Sequence, residues 1–278
     1  MRCRALATQL SARGHIVEFL KKAPAAGCDV LIVDSYMPGP GEFEQWAEQT
    51  SLVVIDDLAD RNLDFASVVL NQNFGAANLP YAARRARMLL GPQFALLREQ
   101  FRRPNVARSF SQDDNRVLVT LGGGPVEADL RRILDQLETV DRPLEITVLG
   151  GAAGPWRSRH AVRFVRTDEV AALMLASDVC ISGGGVTTLE LAATGTPAIV
   201  VVMAQNQEPA AAALMQLDAA VIAGPMPVAM GRVAADVSEL LSFPQRRESL
   251  SRRASVCVDG EGPRRVAVAL EEEFASTL

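Results

Sequence analysis

Residues 181–207 read ISGGGVTTLELAATGTPAIVVVMAQNQ. Val179 to Ser182 is a short apolar run that reads as a strand. Gly183, Gly184 and Gly185 make a turn, and Thr187 and Thr188 open a helix that carries Glu190 within its first two turns. Gly195 and Pro197 end that helix. Ala198 to Met203 is a second, fully apolar strand of the kind buried in parallel sheets. The turn after it presents Gln205, Asn206 and Gln207. Glycines let backbone N–H groups approach an anion closely, and a helix N-terminus adds partial positive charge. A carboxylate one turn further on can bond ribose hydroxyls, and ligands of open α/β sheets collect at the carboxyl ends of strands. A glycine turn that only packs a helix onto a sheet explains the three glycines equally well; Glu190 and the Gln-Asn-Gln turn favour the ligand.

Working outward, the same alternation fills the chain. Residues 3–13 have helical periodicity, ended by Gly14, and Ile16 to Phe19 reads as a strand. Further strands are expected at Asp29 to Val33, at Leu52 to Ile55 ending in Asp56 and Asp57, and at Val68 to Leu70 ending in Asn71 and Asn73. Residues 79–105 are rich in arginine and proline, and their end reads as a linker; Arg84, Arg85 and Arg87 read as a solvated helix face. A second series starts with Val117 to Leu121 and Gly122, Gly123 and Gly124. A helix over 126–138 follows, with strands at Leu144 to Leu149 and Val162 to Val165. Asp168 is expected to cap a helix at 169–176. The expected fold is α/β, with two doubly wound domains, 1–105 and 106–278, and a cleft between them.

Composition sets limits. A chain of 278 residues with 49% hydrophobic residues suits two ordinary domains. A net charge of −5 argues against nucleic acid as the main ligand. No apolar run is long enough to span a bilayer, and the start, MRCRALATQLSARGH, lacks a signal-peptide core, so a cytoplasmic protein is expected. Cys3, Cys28, Cys180 and Cys257 are scattered, which argues against zinc and against a disulfide framework. His15 and His160 read as structural or surface residues. Neither a metal nor a cofactor is expected.

The segment SGGGVTTLELAATGTPAIVVVMAQNQ is similar to the nucleotide-sugar-binding segment of MurG-type GT-B glycosyltransferases. Closer still, the chain resembles the PseG-type UDP-sugar hydrolases of pseudaminic acid biosynthesis. The motifs DVLIVDSY at 29–36, VVIDDLADR at 53–61, VVLNQNF at 68–74, LLGPQFALLREQF at 89–101, LGGGP at 121–125 and VDGEGPRRV at 258–266 stand in that family's order. The resemblance implies a GT-B-like fold and a metal-free inverting hydrolase of UDP-2,4-diacetamido-2,4,6-trideoxy-β-L-altropyranose. Water would attack the anomeric carbon and UDP would leave. It implies Tyr36 beside the catalytic base and Asp56 and Asp57 near the sugar. Gly122 to Gly124 would form a close-approach loop. Gly183, Gly184, Gly185, Thr187 and Thr188 would lie near the diphosphate, Glu190 on the ribose, and Gln205, Asn206 and Gln207 near phosphates and sugar.

The family opens with a strand and a G-x-G-H loop whose histidine is the proposed base. Here Met1-Arg2-Cys3 already stands at the start of the following helix. The first domain is therefore expected to be incomplete, with Asp34, Asp56 or a water chain as substitutes for the base. Two alternatives to the hydrolase stand beside it: a catalytically silent nucleotide-sugar binder, and a MurG-like transferase with a lipid or glycan acceptor.

Overall fold

The computed structural model describes residues 2–20, 27–35, 41–82, 85–102, 108–122, 126–150 and 156–275. The chain divides into two compact units, Met1–Glu99 with Gly260–Leu278, and Gln100–Asp259.

In the first unit, α1 (Arg2–Ala12) is followed by β1 (Val30–Val33), α2 (Glu42–Ala47), β2 (Ser51–Ile55), β3 (Val68–Asn71) and β4 (Arg87–Leu90). The four strands lie in sequential order, all parallel, with Leu31 opposite Leu52, Val54 opposite Val69 and Leu70 opposite Leu89. Both faces are covered, which is why the strands read as unbroken apolar runs. Val53, Ile55, Val68 and Leu70 face α1 through Leu6 and a C-terminal helix, α9 (Gly262–Glu273), through Val266, Ala267 and Leu270. Leu52, Val54 and Val69 face the other way, onto Phe43 and Leu63. Alternate residues of one strand thus feed opposite layers.

Three expectations change here. Residues 15–20 form no strand: Ile16 is 95% exposed and Phe19 62%. A β-run needs a neighbouring edge to hold it, and among the described residues none pairs with this segment. Second, Arg87 opens β4 instead of lying on a helix face; its guanidinium donates to the Ala269 carbonyl at 2.9 Å and to Glu272 at 2.8 Å. Arg85 is exposed, and Arg84 lies outside the described residues. Third, the boundary expected at 105/106 with an unbroken second domain fails at the C-terminus, because α9 buries its apolar stripe on the first sheet.

Ion pairs hold α9 there as well. Arg13 and His15, just beyond α1, both bond Glu271, His15 at 3.1 Å. These bonds, Arg13 first and His15 second, outweigh partial desolvation and bring the Glu271 carboxyl down to about 2 from an ordinary 4.5. A depressed carboxylate pKa contributes stability that is present above the unfolded value and lost as pH falls through the folded one. Glu271→Gln is therefore expected to lower Tm modestly at pH 7, with the deficit shrinking between pH 4.5 and about 2. Thermal scans across that range check it; a pH-independent deficit would contradict the pairing.

The second unit contains β5 (Arg116–Thr120), α3 (Glu127–Leu137), β6 (Glu145–Leu149), β7 (Ala161–Val165), α4 (Val170–Leu175), β8 (Val179–Gly183) and α5 (Thr187–Thr194). Then come β9 (Ala198–Val202), α6 (Glu208–Gln216), β10 (Val221–Pro225), α7 (Val233–Ser242) and α8 (Pro244–Cys257). Its six strands are parallel, in the order β10-β9-β8-β5-β6-β7. The chain leaves β5 in one direction and returns to its other side at β8, so the topological switch point lies between those two strands. Open α/β sheets bind ligands beyond the carboxyl ends of the strands at such a point.

Local chemistry differs from expectation at α4. Its N-cap position is Glu169, not Asp168, and the cap bond comes from far along the chain: Gln100 Oε1 accepts from the Ala171 N–H at 2.9 Å. At the entrance to the unit, Arg108 and Arg247 both stack on Phe110, their guanidinium carbons 5.2 and 5.1 Å from the ring centroid. Arg247 is fully buried and bonds Asp114 at 2.9 Å and the Ser111 carbonyl at 2.7 Å. His160 is a core residue, with Nε2 2.7 Å from the Leu137 carbonyl.

Candidate functional site

The sequence-predicted residues of the second unit gather at the carboxyl ends of β5, β8 and β9, around the switch point. Gly122 follows β5, is exposed, and has φ of 94°, a conformation that favours glycine. Gly123 and Gly124 lie outside the described residues. The glycine turn follows β8, and its three glycines differ in purpose. A Cβ on Gly183 would lie 3.2 Å from the Leu121 carbonyl, and one on Gly184 would lie 3.0 Å from Gln207 Cβ. Those two are small because protein packs against them. On Gly185 the nearest atom would be 3.9 Å away, so there the missing side chain leaves open room.

The start of α5 is the part of this turn with spare donors. Thr188 is buried, and its hydroxyl donates back to the Gly185 carbonyl at 2.8 Å. Its backbone N–H bonds Gly185, and those of Leu189 and Glu190 bond Val186. Among the described residues, no protein acceptor takes the N–H groups of Gly185, Val186 or Thr187. These three donors stand at the positive end of the α5 dipole, an arrangement with the chemistry to receive an anion. Thr187 is half-buried, and Glu190 is half-buried one turn along the same helix. Beyond β9, Gln205 and Asn206 are exposed, whereas Gln207 is half-buried and turned against the glycine turn.

The first unit has a second polar cluster, at the carboxyl ends of β1, β2 and β3. Its centre is Arg2, which no sequence motif singled out. Its Nε and Nη2 donate to Asp34 at 3.0 and 2.6 Å, while Nη1 and Nη2 donate to Asp57 at 2.9 Å each. Asn73 adds a bond to Asp57 at 2.7 Å, and the Cys3 thiol donates to Asp34 at 3.2 Å. Burial opposes ionisation of Asp34, but the Arg2 guanidinium outweighs it and holds the carboxyl below its ordinary value. Burial, together with the Asp34 charge, pushes the Cys3 thiol up to about 12, so it stays protonated.

Asp56 behaves differently from its neighbour. It is 3% exposed, and Oδ2 accepts the N–H groups of Leu58 and Ala59 at 3.1 and 2.7 Å. It also accepts the Tyr81 hydroxyl at 2.9 Å, which in turn accepts from Asn71 at 2.9 Å. Burial, aided by the Asp56 charge, raises the Tyr81 pKa, so this phenol is a neutral strut. Of the two adjacent carboxylates, Asp56 shapes the loop and Asp57 faces Arg2. Tyr36 lies outside the described residues. His15 sits beyond the far end of α1, whose eleven residues span about 16 Å from Arg2. Among the described residues, no cluster of His, Cys, Asp and Glu could hold a metal, and no helix is long and apolar enough to cross a membrane.

Comparison with known proteins bears on both units. Residues 156–260 match the model of the glycosyltransferase family 28 C-terminal domain. Over 205 residues, covering 71% of the chain and 38% of the relative, the sequence is 27% identical to a Helicobacter pylori protein. That protein is named pseudaminic acid cytidylyltransferase and UDP-2,4-diacetamido-2,4,6-trideoxy-beta-L-altropyranose hydrolase. An uncharacterised protein of Methanocaldococcus jannaschii is 24% identical over 214 residues, covering 68% of the chain and 43% of the relative. The chain thus spans less than half the length of the curated relatives it matches. Among solved structures, MurG of Acinetobacter baumannii aligns with a TM-score of 0.65 at 15% identity, covering 98% of this chain and 95% of that one. The fold is accordingly GT-B-like α/β, with two parallel-sheet Rossmann-like domains.

Proposed function

We propose that the chain acts on a nucleotide sugar, and that its reaction is hydrolysis of a UDP-linked diacetamido-trideoxy sugar with inversion, in pseudaminic or related nonulosonic acid biosynthesis. The observation that carries the nucleotide part is the set of three N–H groups, of Gly185, Val186 and Thr187, that have no acceptor among the described residues, at the switch point of the second sheet. The Helicobacter pylori relative, whose name includes this hydrolase, supports the finer reading. In the proposed reaction water attacks the anomeric carbon, the bond from that carbon to the diphosphate oxygen breaks, and UDP leaves toward these N–H groups. Thr187 adds a hydroxyl there and Glu190 accepts the ribose hydroxyls. Gly122 is proposed to approach the diphosphate, and Gln205 and Asn206 the sugar.

In the first unit we assign Asp34 and Asp57 to accepting sugar hydroxyls. A carboxylate whose pKa is depressed by a guanidinium is a weak base, so Asp34 is not assigned the proton-abstracting role. Tyr36 keeps its proposed place beside the base. The family 28 match over 156–260 favours one second reading, a transferase in which an acceptor hydroxyl replaces water.

Incubation with the UDP-altropyranose, followed by NMR of the anomeric proton, separates these. Free sugar of inverted configuration supports hydrolysis. Turnover only with an added lipid or glycan acceptor indicates the transferase, and UDP binding without either indicates a silent binder. Glu190→Ala is expected to weaken UDP binding about tenfold or more, the scale of hydrogen bonds to a charged acceptor. Unchanged affinity by calorimetry would remove Glu190 from the ribose.

A further inference from the structure

β7 is the last strand of the second sheet, and its outer side meets no strand among the described residues. The bonds at its two ends fix which way its backbone groups point. The Ala161 N–H donates to the Leu144 carbonyl at 3.0 Å, and the Val165 carbonyl accepts from the Gly150 N–H at 2.9 Å. In a parallel pair the N–H and C=O of one residue point the same way, and the direction alternates along the strand. Ala161, Arg163 and Val165 therefore face β6, whereas Val162 and Phe164 direct their N–H and C=O groups out of the edge. Among the described residues, no backbone group pairs with any of these four. The Val162 and Phe164 side chains pack onto the core, which holds the edge extended. The edge is also basic in an acidic protein. Residues 157–166 carry Arg157, Arg159, Arg163 and Arg166, all exposed, and no aspartate or glutamate, in a chain of net charge −5. The cations flank both faces: Arg163 lies on the face opposite Val162 and Phe164, its Nε 2.9 Å from Thr147 Oγ1. Arg159 stands 3.9 Å from Asp141, whose side chain is fully exposed, so that pair is screened by water.

We propose that the free edge of β7 is a docking site for an acidic segment of another polypeptide, which adds to the sheet as a further strand. The backbone of an added strand supplies both N–H donors and C=O acceptors, which the Val162 and Phe164 groups require. A nucleic-acid backbone lines up phosphate acceptors and leaves the two carbonyls unserved. A second copy of this chain, pairing β7 with β7, would set arginines against arginines, and like charges across a strand pair are unfavourable. An acidic strand meets the opposite charge on both faces of the edge. Cations on an edge strand also guard a sheet against self-association. That guarding and the proposed docking are compatible, because the charge that repels a second copy attracts an acidic strand.

The probe is a synthetic, end-capped peptide of alternating glutamate and valine, added to the full chain at low salt, with amide hydrogen exchange followed residue by residue. In the free protein the Val162 and Phe164 amides are expected to exchange fast and those of Arg163 and Val165 slowly. Bound peptide is expected to slow Val162 and Phe164 by about tenfold or more and to leave the other two unchanged. Replacing Arg157 and Arg159 together by glutamine is expected to weaken peptide binding about fivefold, and added salt to weaken it further. No protection of Val162 and Phe164 by the peptide overturns the docking site. Equal binding of a peptide with lysine in place of glutamate overturns its acidic character, and equal binding of a peptide N-methylated at alternate residues overturns strand addition. Protection that rises with protein concentration in the absence of peptide shows a second copy on the edge, and protection by a single-stranded oligonucleotide shows nucleic acid there; either result overturns the choice of partner.

Discussion

Gly262→Ala is expected to cost about 3 kcal/mol or more of stability, at the upper end of what overpacking produces. Gly262 is the first residue of α9 and is buried against Ala95. A Cβ there would lie 2.2 Å from the Ala95 carbonyl oxygen, 2.6 Å from its nitrogen and 2.8 Å from its carbonyl carbon. All three atoms are backbone, so no rotamer change relieves the clash. Nor can the Ala95 segment retreat cheaply. The Ala95 N–H bonds Pro92, and the next N–H, of Leu96, bonds the buried Gln72 side chain at 2.7 Å. The alternative is to lift α9, which carries Val266, Ala267, Leu270 and Phe274 into the first core. Gly231→Ala is the matched control, since a Cβ there meets nothing within 4 Å. Urea unfolding of the two variants decides the matter; a Gly262→Ala loss no greater than that of the control would refute the close approach.

The second large effect is expected from Arg2→Met. Its side chain is 12% exposed and is shared between Asp34 and Asp57, which are 25% and 11% exposed. Removing the cation leaves two carboxylates facing one pocket of low solvent access. Breaking a buried pair costs about 3–5 kcal/mol, and the partial exposure of Asp34 discounts this to about 2–3 kcal/mol. The pH dependence has a definite sign. The Asp34 pKa is lowered in the folded protein, so its contribution is present above the ordinary value of 3.8 and lost as pH falls through the folded value. The deficit of Arg2→Met is thus greatest near neutral pH and shrinks in acid, whereas a packing defect would be independent of pH. If Asp34 and Asp57 hold the sugar as proposed, turnover should fall by about a hundredfold or more, since misplaced groups lose orientation. Arg2→Lys, with one point charge for a four-bond fork, should recover stability better than turnover.

What could be read from the chain followed from how local each signal is. The β8–α5–β9 segment was legible because strands buried on both faces are apolar throughout, as in Ala198–Val202, and because Gly195 and Pro197 punctuate the helix. β4 was missed because four residues, Arg-Met-Leu-Leu, sit in an arginine-rich stretch, and Arg87 draws its partners from α9, beyond any local window. Ile16 to Phe19 was over-read because apolar β-formers say nothing about whether an edge exists to receive them. The side of the chain on which α9 packs was equally illegible: an apolar stripe does not name its sheet. Arg2 did leave a signal. A cation in the first turn of a helix opposes the helix dipole, which points to carboxylates nearby. Its partners, 32 and 55 residues on, could not be named from spacing. Gln207 turns its carbonyl end inward onto Gly184, a direction that spacing along the chain does not encode.

The return of α9 to the first sheet has a consequence for biosynthesis. The first unit draws on residues from both ends of the chain, while Gln100–Asp259 is continuous. Until α9 is available, the β2 and β3 apolar face of the first unit lacks the cover that Val266, Ala267 and Leu270 provide. The exposed intermediate is the N-terminal half, which makes it the stretch on which a chaperone would act, and a stop codon shortly before residue 262 would leave the second unit foldable and the first one open.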